Sequence, residues 1–401
     1  MMNRQKQTMS TLKRSQGVTL VELMIAMVIS TIVLLGVSTV YSSTKRSYKI
    51  QEEMARLQEN ARYAFSVMAS DLRGSGFVGC NPTLNNLLED DAGLGGGTDF
   101  QSGIDGWEYT ATVTAPGDDY TITSVSTTGA VGDWTGYTWP SSGPNLATVL
   151  AGRVIQGTDV LVSKFVEPVT DGAGAYLVQQ GTNNANATSI TFTTNTGIEK
   201  GQILIFGDCD RGDVFQNGSG PNANNVNRNA GVAGIAPGNK NPSSVQWSHG
   251  CTACQIFEAR GMFYFIGQGT SGEPALFRYD YSMGSAAATF AELVEGIENM
   301  QLLFGEDLSP NDQDIQPTRY VTADNITDID NVVSVRISLL VRTPEPLPVQ
   351  NKAQDWNRTF RLLGVDNATG VDITTENDQR VRKVFTTTIF MRNKGVARER
   401  S

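Results

Sequence analysis

The chain has 401 residues, 39% of them hydrophobic, which is enough to bury a sizeable core and excludes wholesale disorder. Its 31 Lys and Arg against 41 Asp and Glu leave a net charge of −10, which argues against a nucleic-acid surface, because neutralising phosphates needs a basic patch. A single histidine, His249, is too little for histidine-based acid–base chemistry or multi-histidine metal sites, so no catalytic residue, metal or cofactor is expected.

Residues 1–17 carry Arg4, Lys6, Lys13 and Arg14 without an acid and end in Ser15-Gln16-Gly17. From Val18 to Tyr41 the chain is apolar, with Glu22 as its one charge. As a helix this stretch would span ~36 Å, enough for a hydrocarbon core of about 30 Å. It is too long for a secretory signal and lacks a small-residue cleavage site. A carboxylate in hydrocarbon costs roughly 2.5–3.5 kcal/mol, so Glu22 either reaches the interface or meets a partner charge.

Beyond Tyr41, Ile50, Met54, Leu57, Ala61, Phe65, Met68 and Leu72 recur three and four apart, giving one apolar helical face. Glu52 with Arg56, and Glu59 with Arg62, support the polar side. One continuous helix over Val18–Leu72 is predicted, ending at Gly74 and Gly76.

The remainder reads as β-rich. Val333, Val335, Ile337, Leu339 and Val341 alternate with Ser334, Arg336, Ser338 and Arg342, as a half-buried strand requires. Further strands are predicted at Tyr120–Ser126, Asp159–Val166, Ser189–Thr194, Gln202–Gly207, Met262–Gly267, Ala275–Tyr281 and Val384–Arg392. Glu292–Leu303 reads as a short helix leading into a strand. Gln216–Pro242, rich in Asn and Gly, reads as a long surface loop. The fold class is α+β, a long N-terminal helix packed on a β-rich head with no internal repeat.

Cys80, Cys209, Cys251 and Cys254 allow three pairings. In an oxidising compartment the expected bridges are Cys80–Cys209 and Cys251–Cys254, because the last two are too close in sequence to staple distant elements. Cys251-Thr252-Ala253-Cys254 lacks the βαβ context of a thioredoxin-like motif, and His249 with Cys251 and Cys254 lacks a fourth zinc ligand. Asp208, Asp210 and Asp213, and Asp307, Asp312 and Asp314, do not follow calcium-loop spacing and read as solvated loop acids. Arg211-Gly212-Asp213 reads as a turn rather than a receptor ligand.

Lys13-Arg14-Ser15-Gln16-Gly17, followed by Val18-Thr19-Leu20-Val21-Glu22-Leu23, resembles the class III leader of type IV pilins and type II secretion pseudopilins, with Val18 where Phe is usual. That resemblance implies cleavage after Gly17 by a prepilin peptidase, N-methylation of Val18, and an assembly role for Glu22, paired with the amino terminus of an adjacent subunit. Ser70-Asp71-Leu72-Arg73-Gly74-Ser75-Gly76-Phe77-Val78-Gly79-Cys80 is similar to the helix ending of PilW-type minor pilins. So are Gly207-Asp208-Cys209-Asp210-Arg211 with Val214-Phe215, Leu293 to Glu298 with Phe304-Gly305-Glu306-Asp307, and Thr388 to Asn393.

The implied organisation is a leader at 1–17, a transmembrane or filament-core helix at 18–41, its amphipathic continuation at 42–76, and a periplasmic or extracellular head at 77–401. The implied function is a non-enzymatic minor pilin that primes type IV pilus assembly and sits at the tip, supporting adhesion and twitching motility. Its implied partners are the prepilin peptidase, other minor pilins, the major pilin and a tip adhesin. It would begin as a single-pass inner-membrane precursor with a periplasmic head and end in the cell-surface pilus. The alternatives are a J-like type II secretion pseudopilin, which shares leader and stalk, and a membrane-anchored periplasmic binding protein, for which only His249 and the acid clusters speak.

Overall fold

The computed structural model describes residues 17–394, apart from 80–82, 90–98, 111–119, 123–127, 138–145, 172, 182–183, 249, 251–253, 283–288, 310–314, 348–357, 364–369 and 376. The chain forms two compact units, 1–52 and 53–401. Helix α1 runs over Leu20–Gly74, 55 residues, two positions later at each end than the sequence predicts.

In the first unit the helix is apolar and outward-facing. Leu20, Leu34, Leu35 and Val40 are all about two-thirds exposed or more, and the segment is long and apolar enough to cross a membrane. Four of its hydroxyls bond the helix's own carbonyls. Ser30 donates to the Ala26 carbonyl (2.6 Å), Thr31 to Met27 (2.8 Å), Thr39 to Gly36 (2.7 Å) and Thr44 to Val40 (2.9 Å). Side chains that bond their own helix carry no unmet polar group into hydrocarbon.

The second unit contains the rest of α1 and eighteen strands among the described residues. They are β1 (Leu84–Asn86), β2 (Ile104–Tyr109), β3 (Tyr120–Ile122), β4 (Trp134–Gly136), β5 (Val160–Pro168), β6 (Ser189–Thr191), β7 (Ile203–Gly207), β8 (Gly212–Gln216), β9 (Asn225–Asn227), β10 (Gln255–Gln268), β11 (Pro274–Asp280), β12 (Thr289–Glu295), β13 (Ile297–Glu306), β14 (Arg319–Val321), β15 (Val332–Arg342), β16 (Arg358–Leu362), β17 (Val371–Thr375) and β18 (Arg382–Phe390). A nine-stranded sheet has the order β1-β8-β7-β10-β5-β2-β4, with β11 between β10 and β12. A four-stranded sheet follows the order β14-β13-β15-β18, and β16-β17-β3 and β6-β9 form small sheets.

The helix stripe builds the main core. Leu57, Ala61, Ala64, Met68 and Leu72 are buried with Leu161, Met262, Tyr264 and Ile266 of the large sheet and Met300, Leu302, Ile337 and Leu339 of the four-stranded sheet. Alternation assigns the other faces. Phe263 and Phe265 of β10 point into a second cluster with Trp107 and Val162, and Leu340 of β15 packs with Leu303, Leu362 and Ile373. Burying one leucine-sized side chain stabilises by about 1.5–3 kcal/mol, so Leu57, Met68 and Leu72 hold this part of α1 firmly, with Ala61 and Ala64 letting it approach closely.

Three expectations need correction. Strand β15 is buried on both faces rather than half-buried, because β16 and β17 cover its second side. Glu292–Leu303 is not a helix leading into a strand but two strands, β12 and β13, broken at Gly296. Gly296 has φ +85°, and a Cβ there would lie 2.9 Å from the Arg342 carbonyl oxygen, so glycine makes the turn.

Gln216–Pro242 is not a surface loop throughout. It contributes β9, which pairs with β6, and buries Gln216, Asn217, Arg228 and Asn239. Side-chain amides supply the order that apolar contacts do not. Asn239 accepts from the Gln216 N–H (2.7 Å) and donates to its carbonyl (2.7 Å), while the Gln216 amide donates to Gly201 (2.7 Å). Arg228 lies over the Trp247 ring, 4.7 Å from its centroid, and donates to the Val245 carbonyl.

Candidate functional site

The residues expected to serve processing and assembly lie just before and within the start of α1. Gly17, Val18 and Glu22 are exposed. The Thr19 N–H donates to Glu22 Oε2 (2.9 Å), the Thr19 hydroxyl to the same oxygen (3.0 Å), and the Glu22 N–H to Thr19 Oγ1 (3.3 Å). This reciprocal arrangement is a capping box, which satisfies backbone donors that a helix start leaves unpaired. Glu22 therefore has a local structural task beside any charge pairing between subunits. The Thr19-x-x-Glu22 spacing makes that task legible in sequence, although sequence reasoning passed over it.

The helix end shows what its motif residues do within the second unit. The Tyr264 hydroxyl donates to Asp71, and Arg278 lies 3.9 Å from the same carboxylate. Burial raises the Asp71 carboxyl, against that hydrogen bond and the arginine charge, and burial likewise pushes the Tyr264 phenol up. Leu72 is fully buried, Ser75 and Ser163 share a hydrogen bond of 2.7 Å, and the Gly76 N–H donates to the Lys164 carbonyl (2.9 Å). Gly76 at φ +76° lets the chain turn from the helix into that contact. The Asn393 amide then reaches the carbonyls of Arg73, Gly74 and Ser75 at 3.2–3.4 Å and closes the helix terminus.

Two buried polar clusters were not legible in sequence. Asp159 accepts from the Leu302 N–H (2.7 Å) and the Tyr109 N–H (3.4 Å), tying β2 to β13. Burial pushes Asp159 up to about 7 against those N–H bonds, and burial with the neighbouring Asp159 and Asp324 charges pushes Glu108 well above the carboxylate range. Such a pair shares a proton instead of ionising twice. At the far end of β15, Glu298 accepts from Arg342 (3.0 Å) and from Arg382 (2.6 and 2.8 Å), and Asp378 also receives Arg382 (2.6 Å). These partners come from three strands and a turn, which no single-segment pattern reveals.

The remaining candidates separate. Cys209 and Cys254 are disulfide-bonded, while Cys80 and Cys251 lie outside the described residues, as do His249, Asp312 and Asp314. Asp208 shapes the β7–β8 turn by accepting the N–H groups of Asp210 (2.9 Å) and Arg211 (3.2 Å). Asp213 is buried and accepts from Asn85 and Ser248, so the Arg211-Gly212-Asp213 tripeptide does not display its carboxylate. Asp307 accepts from the Ser309 N–H (3.0 Å). Among the described residues no three His, Cys, Asp or Glu side chains converge as a metal site.

The prokaryotic N-terminal methylation motif matches residues 12–38, and the family of type IV pilus-assembly protein W, PilW, matches residues 263–393. Together the two matches support a PilW-like pilin with a class III leader. The PilW match begins in β10, contains the Tyr264 and Arg278 that receive Asp71, and ends at the Asn393 that caps the helix. No curated protein and no solved structure matches the chain. The same matches support a type IV pilus minor pilin, and the PilW family is one of structural pilus components. The leader implies processing by the prepilin peptidase, and the apolar helix implies membrane anchoring before assembly with other pilins.

Proposed function

We infer that this minor pilin primes filament assembly and is carried at the tip of the pilus, where its head supports adhesion and twitching motility through a tip adhesin. The head is periplasmic in the precursor. The peptidase cuts after Gly17 and methylates Val18, and the Glu22 carboxylate pairs with the amino terminus of a neighbouring subunit. The observation that supports this reading is a single carboxylate on an otherwise apolar helix that is exposed along residues 18–41, directly behind the methylation motif. A carboxylate is retained in such a setting where a partner charge offsets its desolvation.

The bridges Cys80–Cys209 and Cys251–Cys254 belong to the same reading, as staples of a head that matures in an oxidising compartment. A strain lacking this chain tests the function. Loss of surface pili and twitching with intact protein secretion is the expected result. Normal pili with blocked secretion would assign the chain to a type II secretion pseudopilus instead. Gold labelling of the head at filament ends, rather than along the shaft, is expected for the tip position.

A further inference from the structure

A buried amine and a buried carboxyl meet beneath the end of α1. Lys164 of β5 and Asp105 of β2 are both buried, with Nζ 2.5 Å from Oδ2. The register explains the meeting. Ile104 pairs with Ser163, and the Lys164 N–H donates to the Gly103 carbonyl, so Lys164 and Asp105 lie diagonally on one face of the sheet. Gly103 puts no side chain between them. Its φ is +70°, and a Cβ there would lie 2.6 Å from Gly76 Cα, so this position stays bare.

A second acid acts on the pair through its charge. Asp99, in the turn before β2, takes the Gln101 N–H on Oδ1 (3.1 Å), while its buried Oδ2 has no hydrogen-bond partner among the described residues. The other charges facing the pair are Lys394, also buried, and Asp330, which receives Lys394 Nζ at 3.2 Å. Burial lifts the Asp105 carboxyl to about 6, against the lysine charge and hydrogen bond and helped by the Asp99 charge, so its neutral form is populated near neutral pH.

We propose that Lys164 and Asp105 join in an intramolecular amide cross-link between Lys164 Nζ and Asp105 Cγ. Along the 2.5 Å contact a proton passes from the ammonium to the carboxylate, leaving an amine and a carboxylic acid. The nitrogen lone pair attacks Cγ, forming the C–N bond. The second nitrogen proton passes to the departing hydroxyl, the C–O bond breaks, and one water leaves. No oxidant or reductant enters, and one positive and one negative charge disappear together. Fixed proximity in a water-poor site supplies what two solvated groups lack, since well-oriented intramolecular reactions reach effective molarities of about 10⁵ M or more.

The cross-link has a mechanical consequence. Strand β5 receives the chain leaving α1 through the Gly76–Lys164 hydrogen bond, and the amide would tie that strand covalently to β2. A pilus subunit under tension would then not unzip at this seam.

The test is the intact mass of the full-length protein purified in detergent, fully denatured and reduced. The expected mass is one water below that of its own chain, with a digest yielding a branched peptide that joins Lys164 to Asp105. The full mass, with the two peptides separate, overturns the proposal. Lys164→Arg keeps the ion pair but cannot form the amide, so it should restore the missing water in a folded protein. A Lys164→Arg chain that is still one water light would place the dehydration elsewhere and also overturn it.

Discussion

Between Leu20 and Tyr41 the large hydrophobic side chains are at least half exposed, whereas from Leu57 onward Ala61, Ala64, Met68 and Leu72 of the same helix are almost fully buried. Both regions use one backbone conformation and similar residue types. The difference lies in periodicity. The first is apolar on every side, with hydroxyls turned onto its own carbonyls, and the second confines its apolar residues to one stripe. An exposed apolar surface of that extent is far larger than the few hundred Å² a soluble monomer shows, so the first region is written for a non-aqueous phase and the second for water.

The sharpest way to break that comparison is at Glu22, where the two solvents conflict. Glu22→Ala removes cap and charge together, and if the carboxylate pairs with a neighbouring amino terminus the loss is about 3–5 kcal/mol in the filament, seen as depletion of this subunit from sheared pili while membrane insertion persists. Glu22→Gln separates the roles, since glutamine still completes a capping box. Depletion in both variants assigns the effect to charge, and recovery with Gln assigns it to the cap, worth only about 0.5–2 kcal/mol.

A second pair of substitutions sharpens the contrast along the helix. Met68→Ala should destabilise the head by about 2–5 kcal/mol in thermal or denaturant unfolding, because it opens a cavity in the main core. Leu34→Ala, at an exposed position, should leave head unfolding unchanged.

Reduction should weaken the second unit alone, where all four cysteines lie. Alkylation under denaturing, non-reducing conditions should find no free thiol, and losing one native bridge typically costs about 2–5 kcal/mol.

The smallest expected effect is on pH. Asp159, raised to about 7, and Glu108, raised as well, hold protons in the folded head that the unfolded chain has released above its ordinary carboxylate value of about 4. Between about 4 and 7 the native state therefore binds more protons, and their contribution to stability is lost as pH rises through that window. The thermal midpoint should fall from about pH 5 to about pH 8, and Glu108→Gln should flatten the slope. Asp378, held low by its two arginine neighbours against the cost of burial, works in the opposite sense and only at more acid pH.

Much of this was legible in one sequence because periodicity is local. The stripe from Leu57 to Leu72 and the alternation through β15 fix which residues face the core, and the glycines at 74 and 76 mark the helix end. What escaped depends on partners far apart in the chain. Gln216 to Asn239 reads as loop because its order comes from polar side chains bonding distant backbone, such as the Asn239 amide with Gln216 and the Arg228 guanidinium with Val245. The Gly296 break was hidden inside a stretch whose spacing suits a helix as well as a strand. Nothing in composition pairs Lys164 with Asp105, 59 positions apart, or gathers Arg342 and Arg382 onto Glu298. The N-terminal motif is the reverse case. Its residues are contiguous, and the Thr19-x-x-Glu22 spacing also carries the cap.

The central claim is that residues 18–41 leave the membrane for a filament, and the amino terminus of this subunit recovered from sheared pili tests it most directly. Mass spectrometry should find N-methylated Val18 as the first residue, with no trace of residues 1–17. An intact Met1 terminus, cleavage at another bond, or absence of the subunit from purified pili would contradict the account.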